Sequence, residues 1–301
     1  MLYYIKEGEM FMTGAIIVNA YKLYPSVEHQ INRLKEEFLL KGIQIDVLSN
    51  KDIYVFIDGN EIISKLNKYD FIINLDKDEY VALMIEKIGI SLFNSAKSLI
   101  LCDDKMLTHI HLVDELIKMP KTIASPLCYS DTASNEWLKR VCEELSFPLV
   151  AKKCYGSLGE QVYLIKNKAE LANFEEKNRY IPHLYQEFIE SSKGRDVRVI
   201  VVGGKVVAAM ERYSSTDFRS NLSQGGSAKT IKLTKAFKHA AESASKKLGL
   251  DYCGVDLLYG PNNEPILCEV NSNAFFKGIE DITGINVARA FVEHIIKKIK
   301  Y

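Results

Sequence analysis

The chain has 301 residues, of which 39 are lysine or arginine and 39 aspartate or glutamate, so its formal net charge is zero. That length exceeds most single compact units and suggests two or three domains. The even balance gives no electrostatic argument for nucleic acid or a membrane surface as partner, and no apolar run approaches the roughly 20 residues that span a bilayer.

The opening segment, Met1 to Met12, carries Lys6, Glu7 and Glu9 and lacks an apolar signal core, so no leader is expected there. The six cysteines, at 102, 128, 142, 154, 253 and 268, form no close C-x-x-C pair. Buried, reduced thiols in a cytoplasmic protein are the expectation, rather than a zinc or redox site.

In chain order, Gly14–Asn19 is an apolar run of strand length. Residues 26–41 follow with Val27, Ile31, Leu34 and Phe38 at helical spacing, with Ser26 placed to cap the start and Gly42 just past the end. Ile43–Leu48 and Asp70–Leu75 read as further strands. Such alternation predicts right-handed βαβ units on a parallel sheet, ending near residue 100. No G-x-G-x-x-G turn is present, so a Rossmann dinucleotide site is not supported.

A helix is predicted from Asp103 to about Lys118, a short strand over Met119–Ile123 and a helix over Ser134–Leu145. Pro148–Lys153 and Gln161–Ile165 flank the turn Tyr155-Gly-Ser-Leu-Gly159 as a glycine-tipped hairpin. Asn167–Lys177 reads as a helix and His183–Ile189 as a strand. Asp196–Val202 and Val206–Arg212 flank Gly203-Gly204, a two-residue hairpin turn. Cys253–Tyr259 and Pro265–Val270 flank Gly260-Pro-Asn-Asn263 as another, and helices at Lys235–Leu248 and Asn286–Ile299 are placed to cover the sheet. The fold class is therefore α/β at the amino terminus and α+β beyond it, in several domains.

The last hairpin carries the clearest chemistry. Glu269 and Asn271 are two apart on a strand and point to one face, with Asp256 on the facing strand. Two carboxylates and an amide oxygen converging from apolar strands suit magnesium, which takes oxygen ligands and shares them with substrate phosphates. Lys152 precedes the glycine turn, where backbone amides can approach phosphate oxygens. Lys105, near a helix start, reads locally as a solvated side chain. Arg212, Arg219 and Asn221, before Gly225-Gly226, can serve phosphate equally well as form a polar surface loop. His109 and His111 diverge on a helix and do not suggest a metal site. No Ser/His/Asp or Cys/His arrangement is visible.

The ordered set Gln186–Ile189, Lys193–Arg198, Val201–Gly204, Val206–Arg212, Asp217–Leu222, Gly225-Gly226, Gly254–Asp256, Glu269–Asn271 and Gly278–Glu280 resembles the ATP-grasp superfamily, and within it the RimK-type glutamate ligases. The resemblance covers roughly residues 100 to 300. It implies an ATP-grasp fold divided into an amino-terminal parallel βα domain (1–100), a central and lid subdomain (101–188) and a carboxy-terminal subdomain with the metal site (189–301).

Roles follow position by position. Lys105 and Lys152 would contact ATP phosphates under a lid formed by Gly156, Ser157 and Gly159. Glu187 and Phe188 would bind adenine and Asp196 the ribose. Arg219, Ser220 and Asn221 would touch the triphosphate. Asp256, Glu269 and Asn271 would hold two magnesium ions, with manganese as a substitute. Arg212 would clamp phosphate or an acyl phosphate. The implied reaction activates a carboxylate with ATP and passes the acyl group to an amine, glutamate or another amino acid being a substrate. ATP-grasp ligases of this type often self-associate.

The resemblance has two departures. Ser272–Lys277 replaces a Ser-Pro-Gly-like segment beside the acceptor site, and its two phenylalanines suggest a more apolar acceptor. Gln161 stands where the lid usually has glycine, which implies a less mobile lid. Two other readings remain: a ligase of amino-acid or cofactor biosynthesis on the same scaffold, and a catalytically silent ATP-binding module.

Overall fold

The structure is a computed structural model, and it describes residues 12–21, 23–130 and 134–300. The opening segment read above for a leader lies, up to residue 11, outside the described residues.

In chain order the first elements are β1 (Gly14–Val18), α1 (Pro25–Leu39), β2 (Ile45–Ser49), β3 (Val55–Asp58), β4 (Glu61–Ser64), β5 (Phe71–Asn74), α2 (Glu79–Lys87), β6 (Ser91–Phe93) and α3 (Ala96–Asp103). They are followed by α4 (Lys105–Leu112), β7 (Thr122–Ala124), α5 (Leu138–Glu144), β8 (Leu149–Lys153), β9 (Val162–Ile165), α6 (Lys168–Asn178) and β10 (His183–Glu187). The remainder holds β11 (Arg195–Val202), β12 (Lys205–Tyr213), β13 (Ser227–Thr230), α7 (Lys235–Lys247), β14 (Tyr252–Tyr259), β15 (Pro265–Asn271), α8 (Lys277–Thr283) and α9 (Val287–Ile299).

The first sheet, in the order β2-β1-β5-β6, is parallel throughout. β1 and β5 are buried along their whole length, as the apolar runs Ala15–Val18 and Phe71–Ile73 require of strands covered on both faces. Between β2 and β5 the chain adds a hairpin, β3–β4, turned at Asp58-Gly59-Asn60. The second sheet is β7-β10-β8-β9, with α5 and α6 packed on it. The third is β13-β12-β11-β14-β15, antiparallel throughout.

Alternation on the third sheet decides what each face does. Val197, Val199, Val201, Val255 and Leu257 point one way, into a core closed by Phe237, Ala241 and Ala244 of α7. The opposite face is divided. At one end Ile200, Val202, Met210 and Tyr252 join α1, α8, α9 and the first sheet in a single apolar cluster. At the other end stand Asp196, Arg198, Arg212, Asp256 and Glu269. Asn94, after β6, locks the first sheet to the third. Its amide donates to the Tyr252 and Ser272 carbonyls at 2.8 and 2.9 Å and accepts from the Asp251 and Tyr252 amides at 2.7 and 3.0 Å.

Several local expectations change. Ser26 does not cap α1: the helix starts one residue earlier, at Pro25, whose fixed φ suits the first helical position, with Tyr24 at the cap. The helix expected over 103–118 is two helices broken at Asp104, whose carboxylate caps α4 by accepting from the Met106 and Leu107 amides at 2.8 and 3.1 Å. It stops at Leu112 because Lys118 is drawn into an extended contact with β15, where its carbonyl accepts from the Leu267 amide at 2.8 Å. All six cysteines are free, but only Cys102, Cys154 and Cys253 are buried. No helix among the described residues is long and apolar enough to cross a membrane.

Candidate active site

A cleft runs between the second and third sheets, where β10 leads through Phe188 and Ile189 toward β11. Twelve of the fifteen residues singled out from the sequence line it: Lys105, Lys152, Gly159, Glu187, Phe188, Asp196, Arg212, Arg219, Ser220, Asn221, Asp256 and Glu269. The other three, Gly156, Ser157 and Asn271, line a second cleft, which shares Arg212, Asn221 and Glu269 with the first.

One end of the first cleft is an apolar slot of Val150, Val162, Phe188, Ile189, Phe218 and Leu258. The Phe188 and Phe218 rings meet edge to face at 6.3 Å. A flat heteroaromatic ring suits such a slot, which gains from apolar contact and offers hinge backbone to its edge. The hinge is held square by a two-way link. The Glu187 amide donates to the Lys121 carbonyl at 3.0 Å, and the Glu187 carboxylate accepts from the Lys121 amide at 3.0 Å.

The other end is charged. Lys105 and Lys152 are both more than nine-tenths buried. The Lys105 ammonium donates to the Gly156 carbonyl at 3.1 Å and lies 3.4 Å from Glu269. Its place at the first turn of α4 suggested a solvated lysine, yet tertiary packing has folded it under the lid. The Lys152 ammonium lies 3.8 Å from the thiol of Cys268. Register explains how the rest assemble. Across β12, β11 and β14, Arg212 stands opposite Asp196, and Arg198 opposite Asp256. Arg212 donates to both Asp196 oxygens, at 2.7 and 2.6 Å, and its guanidinium also reaches Asp256 at 3.0 Å. Arg198 grips Asp256 through both of its oxygens.

The box of two arginines and two carboxylates is almost dry. Burial would drive the Asp256 carboxyl upward, but Arg198 and Arg212 outweigh it and hold the group below the usual carboxylate range. Burial likewise works against the Arg212 charge, and Asp196 and Asp256 more than restore it. Arg198 is the participant that sequence reasoning missed. Its signal was alternation, since Asp196 and Arg198 are two apart on one strand and must share a face.

A bulge beside Asp256 lets Glu269 remain opposite it while Cys268 becomes the extra residue and lines the cleft. Asp256, Glu269 and Asn271 therefore do share one face. Among the described residues no three His, Cys, Asp or Glu side chains converge as a metal cluster. The third oxygen donor is an amide, and Asp256 is turned toward arginines. The donor set nevertheless suits a hard divalent ion. Among the described residues Glu269 has only Lys105 as ionic partner, and the Asn271 amide nitrogen is buried without a partner.

The lid turn is bent at Gly156, Leu158 and Gly159, all with positive φ. The Gly159 carbonyl accepts from Arg219 at 2.6 Å, and a side chain there would meet the Asn221 amide oxygen at 3.0 Å. Arg219 is oriented by Asp217, which accepts from its Nη2 at 2.8 Å. Gln161 folds back over the turn and accepts from the Ser157 amide at 3.2 Å. Of the two phenylalanines after Asn271, only Phe275 lines a cleft. Phe276 is fully buried against Tyr252, so it belongs to the core and cannot select an acceptor.

A family model described as the RimK-like ATP-grasp domain matches residues 102–295. The chain belongs to that family. Among its relatives, a probable alpha-L-glutamate ligase of Psychromonas ingrahamii is 34% identical over 288 residues, covering 90% of this chain and 92% of that protein. Human N-acetylaspartylglutamate synthase A is 33% identical over 224 residues, covering 73% of this chain, and the match spans only 56% of the human protein. Among solved structures, the VanG D-Ala:D-Ser ligase of Enterococcus faecalis superposes with a TM-score of 0.74 at 17% identity, covering 96% of this chain and all (100%) of that one. That likeness in fold takes in the amino-terminal sheet as well.

Proposed function

We propose that this chain is an ATP- and magnesium-dependent carboxylate–amine ligase with glutamate as a substrate. The observation that carries the reading is the junction of the two clefts. An apolar slot for a base leads to four buried or nearly buried cations, Lys105, Lys152, Arg198 and Arg212, and these face Asp256, Glu269 and Asn271. The names of the relatives, a glutamate ligase and a synthase of a glutamate conjugate, support glutamate. The division into an amino-terminal domain (1–100), a lid subdomain (101–188) and a carboxy-terminal subdomain (189–301) belongs to the same reading.

Catalysis here is positioning and charge neutralisation in a water-poor cleft, which requires no protein nucleophile. Lys105 and Lys152 hold the ATP phosphates, and the lid turn closes over them through Arg219 and Asn221. Asp256, Glu269 and Asn271 would hold magnesium, one ion or two, which when bound neutralises phosphate charge. Arg212 and Arg198 face the place where the substrate carboxylate meets the γ-phosphate. The carboxylate displaces ADP to give an acyl phosphate, and the amine then displaces inorganic phosphate to give the amide.

The test is ADP release with magnesium, ATP and pairs of amino acids that always include glutamate, followed by mass spectrometry of the product. The expected result is release that needs both partners and a product one water lighter than their sum. Tight ATP binding without turnover for any pair would instead mark a silent ATP-binding module.

A further inference from the structure

The parallel sheet presents the carboxyl ends of β1 and β5 to the second cleft, the edge at which open parallel sheets take ligands. Asp76, just beyond β5, lines that cleft and is only 8% exposed. Among the described residues its carboxylate accepts from neutral amides, Asn19 at 3.2 Å on one oxygen and Asn50 at 2.6 Å on the other. None of the ion pairs among the described residues includes Asp76. The basic side chains lining the same cleft are committed elsewhere: Lys77 to Asp103, Lys277 to Asp281, Arg198 to Asp256 and Arg212 to Asp196. Beside Asp76, the Asn50 amide oxygen is buried with no donor.

A buried carboxylate without a cation is costly unless something supplies one, and such a group in a cleft is a functional candidate on physical grounds. Its position is fixed relative to the reaction centre. The Asn273 amide donates to the Asp76 backbone carbonyl at 3.1 Å, two residues beyond Asn271. We propose that Asp76 anchors an ammonium subsite, which takes the primary amino group of the amino-acid substrate that supplies the amine. The assignment rests on the ligase reading above and adds the residue that selects the amine partner.

The amine partner for the test is whichever amino acid of the pair panel contributes nitrogen to the product, identified by fragmentation. Its α-hydroxy acid analogue serves as a competitive inhibitor. In Asp76→Asn the KM for the amine partner should rise ~10–100-fold, the worth of a hydrogen-bonded charge, while the KM for ATP stays within about twofold. In the wild type the hydroxy analogue should bind at least ~10-fold more weakly than the amine, and the variant should lose that preference. A purely structural Asp76 would move both KM values together and leave the preference intact, which would overturn the proposal. So would an unchanged amine KM. If Asp76→Asn melts before assay, the wild-type preference alone decides: a hydroxy analogue as tight as the amine refutes the subsite. A wild type that turns over no pair refutes the ligase reading instead, and the subsite with it.

Discussion

Arg212 combines a structural and a functional part, and Arg212→Met separates them. The side chain is 4% exposed and makes two hydrogen bonds to Asp196, at 2.7 and 2.6 Å, and an ion pair with Asp256 at 3.0 Å. Methionine fills much of the volume but removes the charge. Asp256 keeps Arg198, whereas Asp196 is left buried without its cation. Breaking one side of a buried pair costs about 3–5 kcal/mol. For a chain of this size that lowers the melting midpoint by about 5–8 °C. Thermal and urea unfolding measure it. Adding Asp196→Asn relieves the stranded charge, so the double variant should recover about 1–3 kcal/mol relative to additivity. ATP turnover should remain lost in both. A stability loss below about 1 kcal/mol in the single variant, or strict additivity in the double, would refute the account of a dry, mutually dependent box.

Glu269→Ala should abolish magnesium-dependent ADP release while leaving the melting midpoint within a few degrees, because Glu269 is partly exposed and has one ionic partner among the described residues; wild-type turnover in that variant would sink the metal assignment. His109, buried behind the first cleft beside Gln186, has its pKa lowered from 6.5 to about 4 by burial and then by the Lys152 charge. The unfolded chain therefore takes up a proton between about pH 6.5 and 4 that the folded chain refuses, and stability falls across that window by up to about 3 kcal/mol. His109→Gln should flatten that part of the pH–stability profile, as urea midpoints at pH 7, 5.5 and 4.5 would reveal. Phe276→Ala should destabilise by about 3–5 kcal/mol, as for a large core truncation. Phe275→Ala should instead leave the unfolding midpoint nearly unchanged and alter the KM of a substrate other than ATP.

What the sequence determined by itself was local or periodic. Gly14–Val18 and Phe71–Ile73 announce buried parallel strands because every position is apolar or small. The glycine turns at 203–204 and 260–263 announce hairpins because a tight reversal needs their backbone freedom. Alternation alone put Glu269 and Asn271 on one face. The ordered run of motifs from Gln186 to Glu280 then tied these pieces to one family, since matching order and spacing over about 95 residues constrains far more than any single motif.

Tertiary structure decided the rest, because the deciding partners lie far apart in the chain. Lys105 became a buried lysine when the lid carbonyl of Gly156 and Glu269 closed around it. Phe276 became core rather than cleft lining when Tyr252, 24 positions earlier in the numbering, packed against it. Register across β12, β11 and β14 set Arg198 and Arg212 against Asp256 and Asp196, a pairing that pattern within any one strand cannot specify. Asp76 drew no notice as one acid in Asp-Lys-Asp. Only the fold, by burying it among asparagines and committing the described cations of its cleft elsewhere, gave it a charge still to be answered.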